Sequence, residues 1–248
     1  MKKPRISKTL RTLFVLLVMP TVASCAPITN EGATAQAAVP APGIDARPAI
    51  HGGNATAVLA GGCFWGMQWV FEHVPGVTNV TSGYSGGVAA TATYEQVSEG
   101  DTGHAETVRI TYDPSKVTYG QLLRVYFSVA TDPTELNRQG PDTGTQYRGV
   151  IFYANPEQRK IANAYIAQLT AAHAFTAPIV TQVVAFKAFY PAENYHQDYA
   201  RLHPDALYIA FNDAPKVAAL QRELPALYRA RPVTWHDRDS NTIMVDVH

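Results

Sequence analysis

The stretch AGGCFWGMQWVF, Ala60 to Phe71, sets a cysteine behind two glycines and in front of two aromatics. A thiol reacts as its thiolate, which a helix N-terminus or a neighbouring donor helps to form. Gly61 and Gly62 permit a sharp turn that leaves the Cys63 sulfur reachable, and Phe64 and Trp65 can wall an apolar pocket beside it. A small buried core cysteine is the plainer reading of the same residue. Glu106, in GDTGHAE, supplies a possible partner. The run HAETVRITYD alternates, so Glu106 shares a face with Val108, Ile110 and Tyr112, while Thr107, Arg109 and Thr111 share the other. A carboxyl on the apolar side loses hydration and keeps its proton near neutral pH, which suits a general acid. A strand-end glutamate paired with an arginine reads equally well. Tyr94 in ATYEQV, and Asp142 and Tyr147 in GPDTGTQYR, add hydroxyls and a carboxylate in glycine-rich segments where functional loops often lie, although each alone is unremarkable. His104 and His196 are candidate bases for Cys63, or structural hydrogen-bonding groups.

Several elements must hold these residues. ATAVLAGG predicts a strand and turn, and CFWGMQWVFEHV a helix with Phe64, Met67 and Phe71 in line, which puts Cys63 at a helix N-terminus. TYGQLLRVYFSVA opens with a Thr118–Gln121 capping-box pattern, followed by a stripe of Leu122, Val125, Tyr126 and Val129. GTQYRGVIFY predicts a strand, NPEQRKIANAYIAQLTAAH a helix capped by Asn155 with Pro156 at its first position, and IVTQVVAF another strand. AENYHQDYARL and NDAPKVAALQREL predict two more helices, the second capped by Asn212 or Asp213. Strands interleaved with helices indicate an α/β or α+β layer fold.

The 248 residues, 46% of them hydrophobic, suit one medium domain with a real core. Twenty basic and twenty acidic side chains balance, and no basic block lies beyond the first dozen residues, so nucleic acid is set aside as a partner. No His, Cys and carboxylate cluster has metal-ligand spacing. Two cysteines, Cys25 and Cys63, are too few for a disulfide framework.

The segment MKKPRISKTLRT, followed by the apolar run Leu13 to Met19, has the layout of a secretory signal and is too short to span a bilayer. VASC, Val22 to Cys25, resembles the lipobox of bacterial lipoprotein signals, whose cysteine is acylated and becomes the new N-terminus. That resemblance makes Cys25 a lipid anchor, and Ala26 after it, in place of aspartate, implies the outer membrane on its periplasmic side. An ordinary signal cleaved near Ala23 or Ala26 is the other reading. Residues 26–54, rich in Ala, Pro, Gly and Thr, read as a flexible tether, and 231–248 as an unplaced tail.

GCFWG at Gly62 to Gly66, GYSGG at Gly83 to Gly87, GDTGHAE, GTQYR and ENYHQDY at Glu193 to Tyr199 follow one another in the order and spacing of A-type peptide methionine sulfoxide reductases, which this chain resembles over about residues 55–230. The resemblance implies an α+β fold, a two-layer sandwich around a mixed sheet with a ferredoxin-like core in a single domain. It implies reduction of the S epimer of methionine sulfoxide in oxidised proteins, with no bound cofactor. It makes Cys63 the nucleophile, Glu106 the acid, Tyr94 and Tyr147 the hydroxyls on the sulfoxide oxygen, Asp142 a further polar member, and Phe64 and Trp65 the walls around the methyl group. Many family members carry a later cysteine that resolves the sulfenic acid, and none follows Cys63 here. An acylated Cys25 could not replace it, so an external thiol, for which a thioredoxin-like partner is a plausible donor, is expected to attack the sulfenic acid directly. Two other classes remain open: a Cys-His acyl hydrolase using His104 or His196, and an inactive envelope lipoprotein, whose mark would be a Cys63 that resists alkylation at neutral pH.

Overall fold

In a computed structural model of the protein, the described residues are 39–235. The elements run β1 (Ala55–Ala60), α1 (Phe64–Glu72), β2 (Val77–Ser85), α2 (Tyr94–Ser98), β3 (Ala105–Tyr112), α3 (Tyr119–Val125), β4 (Arg138–Gln139), β5 (Asp142–Thr143), β6 (Val150–Tyr153), α4 (Pro156–Ala171), β7 (Gln182–Ala185), β8 (Tyr190–Pro191), α5 (Tyr199–Leu202) and α6 (Ala214–Glu223). Six strands form one mixed sheet in the order β7-β6-β1-β3-β2-β8, antiparallel throughout except for the parallel β6–β7 pair, and β4 pairs with β5 as a separate hairpin. This is the α+β single-domain architecture that the sequence implies.

The period-two pattern of β3 sorts its side chains as expected. Val108 and Ile110 enter the main core with Ala57 and Leu59 of β1 and with Met67, Val70 and Phe71 of α1. Val58, Ala60, Ala105, Val150, Phe152 and Phe189 form a smaller cluster. The second face of β3 is therefore not a wet face. Thr107 and Arg109 are buried, and the Arg109 guanidinium lies 4.8 Å from the Phe189 ring, an arrangement in which cation and aromatic attract.

Helix α3 begins with the Thr118–Gln121 capping box, and Asn155 caps α4 through the Gln158 N–H. The chain continues from α3 as a π-helical turn, Tyr126–Ala130.

Four expectations are corrected. The segment 144–149 is not strand: Gln146 Nε2 donates to Ser98 O at 3.1 Å and the Thr145 hydroxyl donates to Gly100 O, which folds Thr145–Tyr147 into a short 3-10 turn before β6. The stretch 192–202 is not one helix. Gln197 turns inward, accepting from Ser82 N–H at 2.9 Å and donating to Ser82 O at 3.0 Å and Ala192 O at 3.1 Å, so its amide takes the place of a strand neighbour for β2. Asp198 then adopts a left-handed conformation (φ 56°), leaving a 3-10 turn at Asn194–His196 and the single-turn α5. Helix α6 follows a π-helical turn over Ile209–Asp213, and Asp213, although at the cap position, makes no cap hydrogen bond.

The fourth correction concerns the tether. Residues 39–49, assigned to it from composition, are docked on the domain. Val39 is buried with its N–H on Ser128 Oγ at 3.2 Å, Asp45 accepts from Gly120 N–H at 2.7 Å and from the Thr118 hydroxyl, and Ala49 N–H donates to Pro114 O at 3.1 Å. A single buried valine and a capping carboxylate outweigh the disordered composition around them. The signal, Cys25 and residues 26–38 lie outside the described residues, as does the tail beyond Trp235. The described start of that tail is tied down: Val233 N–H donates to Glu72 O at 3.0 Å and Trp235 N–H to Asp198 Oδ1 at 3.2 Å.

Candidate active site

Cys63 is the residue on which α1 starts. Gly62 before it has φ +97°, and a Cβ there would lie 2.5 Å from Gln139 Cγ, so only glycine lets the β1–α1 turn close against the β4 hairpin. The thiol ends up 8% exposed.

One hydrogen bond joins the nucleophile's helix to the sheet. The first free amide of α1, Phe64 N–H, donates to Glu106 Oε2 at 3.0 Å. Glu106 is buried on β3, on the same face as Val108 and Ile110, so the acid sits beneath the helix end where the thiol sits. Burial pushes its carboxyl up from 4.5 to about 8, against the Phe64 N–H, which favours the ionised form; Asp142 and Asp213 push it further up. Glu106 is protonated at neutral pH. The pairing with an arginine that the sequence left open is not found in this bond.

The thiol does not follow the helix-end expectation. Burial pushes Cys63 well above the ordinary thiol range, the Glu106 and Asp213 carboxyls push the same way, and the Trp65 backbone N–H pulls against them. Desolvation outweighs the helix dipole here. At rest the pair is a thiol beside a carboxylic acid, both neutral.

The remaining sequence candidates converge on this pair. Tyr147, half-buried, is pushed up first by burial and then by Glu106, Asp142 and Cys63. Tyr94 is pushed up by burial and by Glu106, with Cys63 and Asp142 contributing. Both phenols therefore stay protonated and can donate. Asp142, on β5, accepts the Tyr208 hydroxyl. Trp65 is half-buried, stacked on Tyr199 with ring centres 3.9 Å apart, and its Nε1–H donates to His196 Nδ1 at 3.1 Å. Phe64 is buried behind it, 5.0 Å from the His196 ring and 5.8 Å from that of Tyr84. Tyr94 closes the same group, 4.5 Å from His196 between ring centres.

Several residues here were missed from the sequence. Glu193 accepts from the Tyr84 hydroxyl and from Tyr94 N–H, both at 3.0 Å, and so fixes the start of α2. His196 and Tyr199 hold Trp65; Glu193 and Tyr199 lie in the quoted ENYHQDY without having been given a task, whereas His196 takes the structural hydrogen-bonding role left open beside that of a base. Tyr208, Asp213 and Lys216 carried no sequence signal beyond helix capping. Neither histidine is placed as a base: His104 accepts Gly87 N–H at 3.3 Å on Nδ1 and has Nε2 3.0 Å from Val88 O, and burial holds both histidines neutral.

A pocket of about 110 Å³ opens on the thiol, lined by Cys63, Gln139, Gly140, Pro141, Asp142, Tyr208, Asn212 and Lys216. Larger hollows of about 290 and 520 Å³, beside Phe175 and Arg159, share no lining residue with it. Such an arrangement can present a sulfur nucleophile and a proton to a polarised S–O bond inside an aromatic wall.

The family model for peptide methionine sulfoxide reductase matches residues 55–226. Peptide methionine sulfoxide reductase MsrA 2 of Mesorhizobium japonicum is 61% identical over 181 residues, covering 73% of this chain and 93% of the relative. The MsrA 2 of Synechocystis is 49% identical, covering 75% and 87%. Among solved structures, Mxr1 from Saccharomyces cerevisiae in reduced form superposes with a TM-score of 0.55 at 30% identity, over 62% of this chain and 87% of that one. Methionine sulfoxide reductase A of Corynebacterium diphtheriae gives 0.51 at 36% identity, over 61% and 76%.

Proposed function

This chain belongs to the A-type peptide methionine sulfoxide reductases, and on that premise we propose that Cys63 attacks the sulfoxide sulfur while Glu106 protonates its oxygen. The enzyme reduces methionine sulfoxide in peptides to methionine. The observation that carries the residue assignment is the Phe64 N–H to Glu106 bond, because it places a protonated carboxyl at the helix end that carries the thiol. A sulfoxide sulfur becomes electrophilic when its oxygen accepts a proton. In our reading Tyr94 and Tyr147 donate to that oxygen, Asp142 orders the polar rim, and Trp65 backed by Phe64 receives the methyl group.

The electron count closes within the pair. The Cys63 sulfur is oxidised and the methionine sulfur reduced by two electrons; the S–O bond breaks, oxygen passes to Cys63, and the thiol hydrogen ends on the sulfenic acid. An external thiol, with a thioredoxin-like protein as our proposed donor, then displaces the hydroxyl as water and a second thiol releases Cys63. Selectivity for the S epimer, repair of oxidised envelope proteins, and anchoring by an acylated Cys25 to the outer membrane belong to the same proposal.

Mixing the protein with a racemic methyl sulfoxide and no reductant tests the chemistry. Loss of one epimer, about one equivalent per enzyme, with sulfenic acid on Cys63 is expected. An internal disulfide between Cys25 and Cys63 would refute the external-thiol cycle. Detergent-phase partition that survives Cys25→Ser would refute the anchor.

A further inference from the structure

Resting on the assignment of Cys63 as the residue that becomes a sulfenic acid, the second half of the cycle raises an electrostatic problem. The incoming reductant attacks as a thiolate. Three carboxyl groups, Glu106, Asp213 and Asp142, act on the Cys63 sulfur, all in the sense that opposes negative charge there. A thiolate approaching that sulfur is repelled by any of them that is ionised.

Among the described residues, one cation at the pocket stands against them. Among the residues lining the Cys63 pocket, Lys216 is the only one with a positive charge, and its side chain is 22% exposed. Its ammonium lies 3.6 Å from Asp213 Oδ1. Asp213 is fully buried, and neither of its oxygens makes a hydrogen bond with the described residues. Its carboxyl fills the space a side chain at residue 66 would take: a Cβ on Gly66 would be 2.0 Å from Asp213 Oδ1 and 3.2 Å from Lys216 Nζ. At the start of α6 Asp213 makes no side-chain cap hydrogen bond. Among the described residues its one ion-pair partner is Lys216, a turn further on at the pocket wall.

We infer that the pocket between the β4–β5 hairpin and the start of α6 receives the reducing thiol, with Lys216 as the catalytic cation of recycling and Asp213 as the residue that positions it. The Lys216 ammonium stabilises the incoming thiolate, and the departing hydroxyl takes a proton from solvent. The new S–S bond forms as the Cys63 S–O bond breaks, and water leaves. The incoming sulfur is oxidised and the Cys63 sulfur reduced; Lys216 keeps its proton throughout. Asp213 keeps the ammonium at the pocket wall instead of in bulk water.

Recycling can be timed apart from reduction. One equivalent of methyl sulfoxide converts each protein to the Cys63 sulfenic acid, excess is removed, and attack by thionitrobenzoate, dithiothreitol or a neutral phosphine is followed. Lys216→Met should slow both thiols about tenfold, the size of one partly screened charge pair, and leave the phosphine rate alone; Lys216→Arg should restore most of the loss. Asp213→Asn should slow the thiols in the parent and cause no further loss in a Lys216→Met background, where removing its charge can only lessen the repulsion of the thiolate. Thiol rates unchanged in Lys216→Met, or a phosphine slowed as much as the thiols, would overturn the inference. A further loss from Asp213→Asn in the Lys216→Met background would overturn the positioning part. If Asp213→Asn does not fold, the Lys216 variants decide the question alone. Failure of the unaltered protein to form any sulfenic acid would instead sink the assignment of Cys63.

Discussion

Glu106→Gln separates the acid from everything else the residue does. Glutamine keeps the shape and an oxygen for the Phe64 N–H at 3.0 Å, but has no proton to give. In the fold the carboxyl titrates at about 8 where an unfolded chain titrates near 4.5. Each pH unit of that displacement is worth about 1.4 kcal/mol, so an ionised Glu106 disfavours the native state by up to about 5 kcal/mol. Below pH 4.5 both states hold the proton; from there to about 8 only the native state does, and raising the pH favours unfolding; above 8 the penalty is constant. The variant lacks this fall. Glu72, pushed up to about 10 by burial, and Asp213, pushed up to about 6 by burial, are present in both proteins and cancel. Urea unfolding at two pH values, about 5.5 and 8.5, should therefore show the variant gaining roughly 2–5 kcal/mol on the parent at the higher pH. In a single turnover at neutral pH the variant should lose about 10²–10⁴ in the rate of sulfoxide reduction. A stability difference that does not change with pH would refute the buried, proton-holding carboxyl, and an unimpaired rate would remove it from the acid role.

Gly66→Ala sets two effects against each other: alanine is favoured in a helix by about 1 kcal/mol, but its Cβ would meet Asp213 Oδ1 at 2.0 Å. Overpacking of about 1–3 kcal/mol should win, lowering the melting temperature by several degrees in calorimetry, with Asp213→Ala restoring it; a rise in the single variant would contradict the contact. Asp45→Ala should remove about 1 kcal/mol of capping from α3, since Gly120 N–H donates to Asp45 at 2.7 Å. It should also speed proteolytic cleavage within residues 39–49, and equal cleavage in both proteins would show that the docking does not depend on Asp45. Iodoacetamide at pH 7 should alkylate Cys63 more slowly than free cysteine, because the thiol is pushed up by burial and by Glu106; alkylation at the free-cysteine rate would show that the thiol is not held protonated.

Local patterns made much of this legible. The alternation of β3 identified the face on which Glu106 sits, and the helix start after two glycines located Cys63. Two kinds of information were hidden. Inward-turned polar side chains, such as Gln197 against Ser82, break a helical pattern for tertiary reasons that no periodicity records. Buried carboxylates were hidden as well, since Asp213 reads as a helix cap until Gly66, nearly 150 residues earlier in the chain, leaves the space for it. Composition misled at residues 39–49, where one docked valine and one aspartate decide the outcome.

The raised thiol changes what reactivity means at this site. Resistance of Cys63 to alkylation was the expected mark of an inactive protein, yet burial and neighbouring carboxyls produce the same resistance in a working one. A neutral thiol beside a neutral acid is poorly reactive towards general electrophiles and oxidants, which need the thiolate. A sulfoxide differs because it brings its own basic oxygen: as that oxygen takes the proton of Glu106, the negative charge left on the carboxyl and the charge leaving the thiol are offset within one complex. On this argument the substrate itself completes the activation, so the rate of sulfoxide reduction and the rate of alkylation should not rise and fall together. Glu106→Gln is the case where they part. Glu106 is neutral at pH 7, so glutamine in its place leaves the burial that raises the Cys63 thiol, and alkylation should keep its rate while reduction is lost. If the two rates fell together in that variant, activation would reside in the thiol alone and the acid would be reduced to a hydrogen-bond partner for Phe64.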